Sequence, residues 1–183
     1  MRKVIAAINM TLDGVCDHTA GIADKQLHQH YAELINNAGV LLYGRTTYQL
    51  MQFWQTLLRN PSGEKSMDDF AISIDKIPKL VFSRTLKDTN WNSAKLANTA
   101  PDEKILELKQ QPGKDILVGS RSLIIQLLNS KLIDEFQICI HPVIEGKGLP
   151  LFDLINERIV FKLIKTKSLH SGATVFCYEP ASE

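Results

Sequence analysis

The chain has few cysteines, no excess of charge of one sign and no long apolar run, and each shortage removes a class of protein. Cys16, Cys139 and Cys177 are the three cysteines in 183 residues, far apart and with no CxxC pair. An odd, scattered set argues against a disulfide framework and a structural zinc site, and is the pattern expected of a reducing cytoplasm. Lysine and arginine number 21 against 20 aspartate and glutamate, a formal net charge of +1. Nucleic acids and anionic membranes are bound through clustered basic charge, so neither is expected as a partner. The apolar stretch in Met-Arg-Lys-Val-Ile-Ala-Ala-Ile-Asn-Met is too short for a signal peptide. No window reaches the roughly 20 apolar residues of a membrane-spanning helix.

Several catalytic signatures are missing too: the dinucleotide fingerprint GxGxxG, the P-loop, HExxH and the GxSxG elbow. His28 and His30 fall on one predicted helix but on different faces, which is poor geometry for a metal; both read as solvated, and no metal is expected. Asp134, Glu135 and Glu145 form no evident acid/base pair, the first two reading as a helix start or a solvated edge. Aromatic residues make up 7% of the chain. Trp54 and Trp91 read as core by default, with Trp54 also a candidate for an apolar pocket.

What the chain does have is 44% hydrophobic residues, enough for the core of a single domain spanning 1–183. Short β-rich runs alternate with helical spacing. Strands are expected at 3–8, 40–43, 79–82, 115–118 and 135–141, with two more at 159–167 and 174–178 around the turn Ser171-Gly172. Helices are expected at 26–37, 47–58, 67–74, 102–111 and 123–129, and 60–66 reads as a surface loop. This order predicts an α/β fold: helices flanking a mixed, mainly parallel sheet with an antiparallel C-terminal hairpin. Ile138, Ile140, Val143 and Ile144 read as core strand rather than as a dimer face.

Three predicted strand exits share one chemistry. Gly44-Arg45-Thr46-Thr47, Ser83-Arg84-Thr85 and Gly119-Ser120-Arg121-Ser122 each combine small or hydroxyl residues with an arginine. Glycine lets a ligand approach the backbone, helix starts offer free N–H groups, and guanidinium forks suit phosphate oxygens. Ligands of open α/β sheets bind at the carboxyl ends of the strands, so the three exits together would suit a ligand with several phosphates. Taken singly, each is better explained by turn and N-cap chemistry. Asp13, in Leu12-Asp13-Gly14 after the first strand, is either a turn residue or a polar group facing a ligand. His141, before Pro142, reads as a hydrogen-bonded histidine and a weaker pocket candidate.

The runs Leu42-Tyr43-Gly44-Arg45-Thr46-Thr47-Tyr48, Lys79-Leu80-Val81-Phe82-Ser83-Arg84-Thr85-Leu86 and Asp115-Ile116-Leu117-Val118-Gly119-Ser120 resemble the dihydrofolate reductase-like superfamily. So does the first strand with Leu12-Asp13-Gly14. The most specific part is Leu132-Ile133-Asp134-Glu135 through His141-Pro142-Val143-Ile144 to Gly146-Lys147-Gly148-Leu149-Pro150-Leu151-Phe152. It is similar to the branch formed by the C-terminal reductase domain of the bifunctional riboflavin biosynthesis protein.

The resemblance implies a three-layer fold, a homodimer, NADPH as hydride donor and a small electron-poor heterocycle (pterin-, pyrimidine- or flavin-precursor-like) as acceptor. It implies that Ala7 and Ile8 border the nicotinamide through backbone groups. By the same likeness Gly44, Arg45, Thr46 and Thr47 meet the phosphate side, and Ser83, Arg84 and Thr85 hold the adenosine 2′-phosphate. Gly119, Ser120, Arg121, Ser122 and Leu123 wrap the pyrophosphate and nicotinamide side. Dihydrofolate reductases carry a pterin-binding acid on the first helix; here that place falls at Leu27, with Asp24 one turn early. The Ser/Gly-rich substrate segment of riboflavin-pathway reductases is not matched at 15–21. A nucleotide- or flavin-binding protein of the same fold without turnover is therefore the alternative.

Overall fold

A computed structural model describes residues 1–181. In chain order the elements are β1 (Val4–Thr11), α1 (Lys25–Asn37), β2 (Ala38–Gly44), α2 (Arg45–Met51), α3 (Phe53–Arg59) and α4 (Lys65–Lys76). Then follow β3 (Lys79–Phe82), β4 (Ala94–Leu96), α5 (Pro101–Gln110), β5 (Asp115–Val118), α6 (Arg121–Asn129), β6 (Glu135–His141), β7 (Phe161–Ser168) and β8 (Thr174–Pro180).

The strands form one sheet in the order β4-β3-β2-β5-β1-β6-β8-β7. Neighbours from β4 to β6 are parallel, and β8 pairs antiparallel with both β6 and β7. Successive strand residues face opposite sides of a sheet. Val4, Ala6, Val40, Leu42, Ile116 and Val118 accordingly pack on one face with Ile105 and Leu108 of α5 and with Leu123, Ile124 and Leu127 of α6. Ala7, Leu41, Tyr43 and Leu117 pack on the other with Ala32 and Ile35 of α1, Tyr48 of α2, and Phe70 and Ile74 of α4. A sheet apolar on both faces has to be covered on both, which gives the expected three layers. The structure is thus the expected mixed, mainly parallel sheet with an antiparallel C-terminal hairpin, flanked by helices.

Three local expectations are corrected. The helix expected at 47–58 is two, α2 and α3, broken at Gln52. The helix expected at 67–74 starts earlier, at Lys65, because the Glu64 carboxylate accepts the N–H groups of Ser66 and Met67 and caps it; the surface loop therefore stops short of 66. His30 is buried, not solvated, and burial, then Lys167, lowers its pKa to about 4. Strand β4 is an addition. Trp91 is core, and so is Ile138, whereas Ile144 is exposed. Asp134 is structural: its carboxylate accepts the Val4 N–H at 2.8 Å and pairs with Lys109 at 2.6 Å. Among the described residues no helix is long and apolar enough to cross a membrane.

Candidate active site

Because β1, β2, β3, β5 and β6 run parallel, their carboxyl ends lie along one edge of the sheet. The three exits meet there. The buried Gly44 N–H donates to Ser120 Oγ at 2.8 Å, joining the β2–α2 turn to the β5–α6 turn. Arg45 Nη1 donates to Thr85 Oγ1 at 2.9 Å, joining β2–α2 to the segment after β3. A Cβ at Gly44 would lie 3.1 Å from Ser122 Oγ, and one at Gly119 would lie 3.2 Å from the Tyr43 ring. Only a residue without a side chain sits in these turns without displacing a neighbour. Ser83 Oγ accepts the N–H groups of Leu86 at 3.0 Å and Thr85 at 3.2 Å, so it shapes its own turn. Arg84 is exposed.

Ser120 is the N-cap residue of α6, but its side chain makes no cap hydrogen bond. The hydroxyl serves Gly44 instead, and the first-turn N–H groups of α6 are left without a side-chain acceptor. Arg121 faces the other way: Nε donates to Pro150 O at 2.7 Å, and Nη2 pairs with Asp153. Its guanidinium thus ties α6 to the 150–153 loop. Leu123 is buried in the core beside β5.

Next to these turns the sheet has a notch. β1 pairs with β5 only as far as Ala6↔Val118. Along β6 it continues to Thr11↔His141. The edge of Ala7 and Ile8 that faces β5 therefore has no strand partner, at the place where the chain turns away at Gly119.

Polar residues cluster around the ends of β1 and β6. The Asp13 carboxylate accepts the Thr11 hydroxyl at 2.6 Å and the N–H groups of Gly146 at 2.7 Å and Glu145 at 3.1 Å. These bonds, Thr11 first, lower its pKa to about 2. Gly14 takes φ +87°, as the turn here requires. The turn role of Asp13 is plain, and its carboxylate braces the 143–150 loop. His141 is fully buried, with Nδ1 accepting the Ile22 N–H at 3.1 Å and Nε2 lying 3.3 Å from Asn9 Oδ1. Burial lowers its pKa, with Asp24 pulling the other way. Tyr31 of α1 donates to the same Asn9 oxygen at 2.9 Å. Asn9, Tyr31 and Ile22 complete this hydrogen-bonded cluster, and sequence reasoning singled out none of them.

On α1, Leu27 is buried, and Asp24 is occupied as the N-cap, accepting from Leu27 N at 2.7 Å and Ser171 N at 3.1 Å. Neither offers a free carboxylate. Trp54 sits on α3, its ring 4.5 Å from that of Phe70 and 5.6 Å from that of His28. It belongs to the helical layer beside α1 and α4.

The RibD C-terminal domain family matches residues 2–175. The Bacillus subtilis (strain 168) protein YyaP, itself uncharacterized, is 33% identical over 181 residues, covering 97% of this chain and 94% of that protein. A Shewanella sp. PV-4 structure provisionally named for riboflavin biosynthesis superposes with a TM-score of 0.73 at 21% identity, covering 98% of this chain and 99% of that one. Dihydrofolate reductase from Enterococcus faecalis, complexed with NADP(H), superposes with a TM-score of 0.64 at 12% identity, covering 98% and 97%.

Proposed function

The chain belongs to the RibD C-terminal domain family, and on that premise we propose that it is an NADPH-dependent reductase of a small electron-poor heterocycle. One observation carries the reading. The β1 edge at Ala7 and Ile8 loses its β5 partner beside the point where the Gly44 N–H bonds Ser120, and in this reading a flat ring takes that edge with the dinucleotide's phosphates at the joined turns.

The residues present fit the dinucleotide. The uncapped first turn of α6 offers N–H groups and a partial positive charge to the pyrophosphate. Gly44 and Gly119 let the turns that carry these groups pack together. Arg45, Thr46 and Thr47 line the phosphate side, and exposed Arg84, beside Ser83 and Thr85, is placed for the 2′-phosphate. Ser122 lies next to Gly44. Arg121 is a positioning residue in this reading, since its guanidinium is held by the 150–153 loop. When bound, the cofactor supplies the hydride. The chain's own part is to hold the nicotinamide against the Ala7–Ile8 backbone and to orient the acceptor over it. Asp13 keeps the loop beside the notch in place, and the buried His141 supports the acceptor side from behind Asn9, while Trp54 stays in the helical layer.

Calorimetry with NADPH tests the reading. Binding at sub-millimolar concentration supports it and no binding refutes it. Arg84→Ala weakens NADPH roughly tenfold while leaving NADH little changed, because a charge-assisted contact to the 2′-phosphate is lost. Equal losses for both would reject that role. The alternative, binding without turnover, rests on the absence of a free carboxylate at Leu27 and Asp24. Steady NADPH oxidation with any pterin, flavin-precursor or quinone acceptor excludes it.

A further inference from the structure

We propose that Asn9 determines acceptor specificity: its side-chain amide is locked to present N–H donors, so the site selects rings that offer a carbonyl oxygen there. The proposal rests on the reductase reading and names the acceptor class for that site.

A backbone N–H can only donate, and its polarity cannot change. The backbone N–H of Ile22 donates to His141 Nδ1. A neutral imidazole that accepts at Nδ1 carries its proton on Nε2. Burial favours the neutral ring. Nε2–H is therefore the donor toward Asn9, and the atom it meets, at 3.3 Å, is Oδ1. The Tyr31 hydroxyl donates to the same oxygen at 2.9 Å. Two interior donors thus hold one edge of a planar amide, and Nδ2 is forced to the opposite edge. No acceptor among the described residues meets Nδ2. Asn9 is only half-buried, while His141 is fully enclosed.

Position gives this donor its use. Asn9 follows Ala7 and Ile8 on β1, and its side chain shares a sheet face with that of Ala7, the face covered by α1. In the reductase reading a ring stacked at the Ala7–Ile8 edge lies one step along the same strand face from Asn9. Nearby carboxylates that could accept from an amino-substituted ring are engaged: Asp24 caps α1 and Asp13 braces the 143–150 loop. A donor with no competing acceptor selects for carbonyl groups and leaves amino groups unpaired.

The test uses two probes of one shape: lumazine, whose pyrimidine ring carries carbonyls, and the diaminopteridine that carries amino groups at the same positions. Calorimetry on the NADPH-loaded protein should show lumazine binding about tenfold tighter, the equivalent of one good hydrogen bond. Asn9→Asp keeps an oxygen for Tyr31 and His141 but turns an acceptor outward, and it should reverse the order. An unchanged order in Asn9→Asp, tighter diaminopteridine binding by the native protein, or no lumazine binding despite bound NADPH would overturn the proposal. Only failure to bind NADPH would overturn the reductase reading itself. Long-range 1H–15N spectra of the histidine rings give a check free of any ligand: the proton on His141 Nε2 supports the relay, and a proton on Nδ1 alone contradicts it.

Discussion

At Lys79 an ammonium group is enclosed at the end of the sheet opposite the strands' carboxyl ends, with 1% of the residue exposed. It donates to Ser93 Oγ at 2.7 Å, Ile77 O at 2.9 Å and Asp75 O at 3.3 Å, and lies 4.1 Å from the Trp91 ring centre. These contacts replace water only in part, and desolvation lowers its pKa to about 8. The unfolded chain, with an ordinary lysine, then binds more protons than the folded one from that pKa upward, so stability rises with pH there. Relative to Lys79→Met, the native protein should gain about 2 kcal/mol in urea unfolding between about pH 7 and about pH 10. A difference independent of pH would show that the charge is not confined as described. His30 illustrates what a single residue conceals. Helical spacing leaves it in water, but Lys167 reaches Glu33 at 3.5 Å, and His170 and Ser171 bond to Gln26 and Asp24. The C-terminal hairpin, far along the chain, comes to lie beside α1.

Elements were legible where pattern and punctuation agreed, as at β3, β5 and β6, whose limits match the residues expected of them. β4 was not, because three residues, Ala-Lys-Leu, carry no alternation to read. The break between α2 and α3 was not either, since Gln52 is neither Pro nor Gly and keeps helical φ and ψ of −59° and −22°. The three exits could be recognised by composition, but the bond that joins two of them could not. Ser120 looks like an ordinary N-cap residue and instead accepts from Gly44, 76 positions away. Ser120→Ala leaves a buried N–H unpaired and should lower the unfolding free energy by about 1–3 kcal/mol. An unchanged urea midpoint would mean the β2–α2 and β5–α6 turns are held by something else. The Tyr31–Asn9–His141 relay spans three elements and has no signature in any one of them.

For the molecule as a whole, the sheet order decides what each end does. The parallel strands gather their carboxyl ends on one edge, and β5, inserted between β2 and β1, ends at Val118 while β1 runs on to Thr11, which opens the notch. At the other flank, edge strand β7 exposes Leu163 and Ile164. An exposed apolar edge favours pairing with another surface, and the homodimer implied by the family likeness is the outcome expected in light scattering; a monomer at all concentrations would reject it. The central claim is that one cleft at the strand ends holds the whole dinucleotide. The most direct measurement is an amide NMR titration with NADPH. The account predicts shifts confined to Ala7, Ile8, Gly44–Thr47, Ser83–Thr85 and Gly119–Ser122, with Lys79 and Trp91 unmoved. Shifts centred on the opposite end of the sheet, or on only one of the three turns, would contradict it.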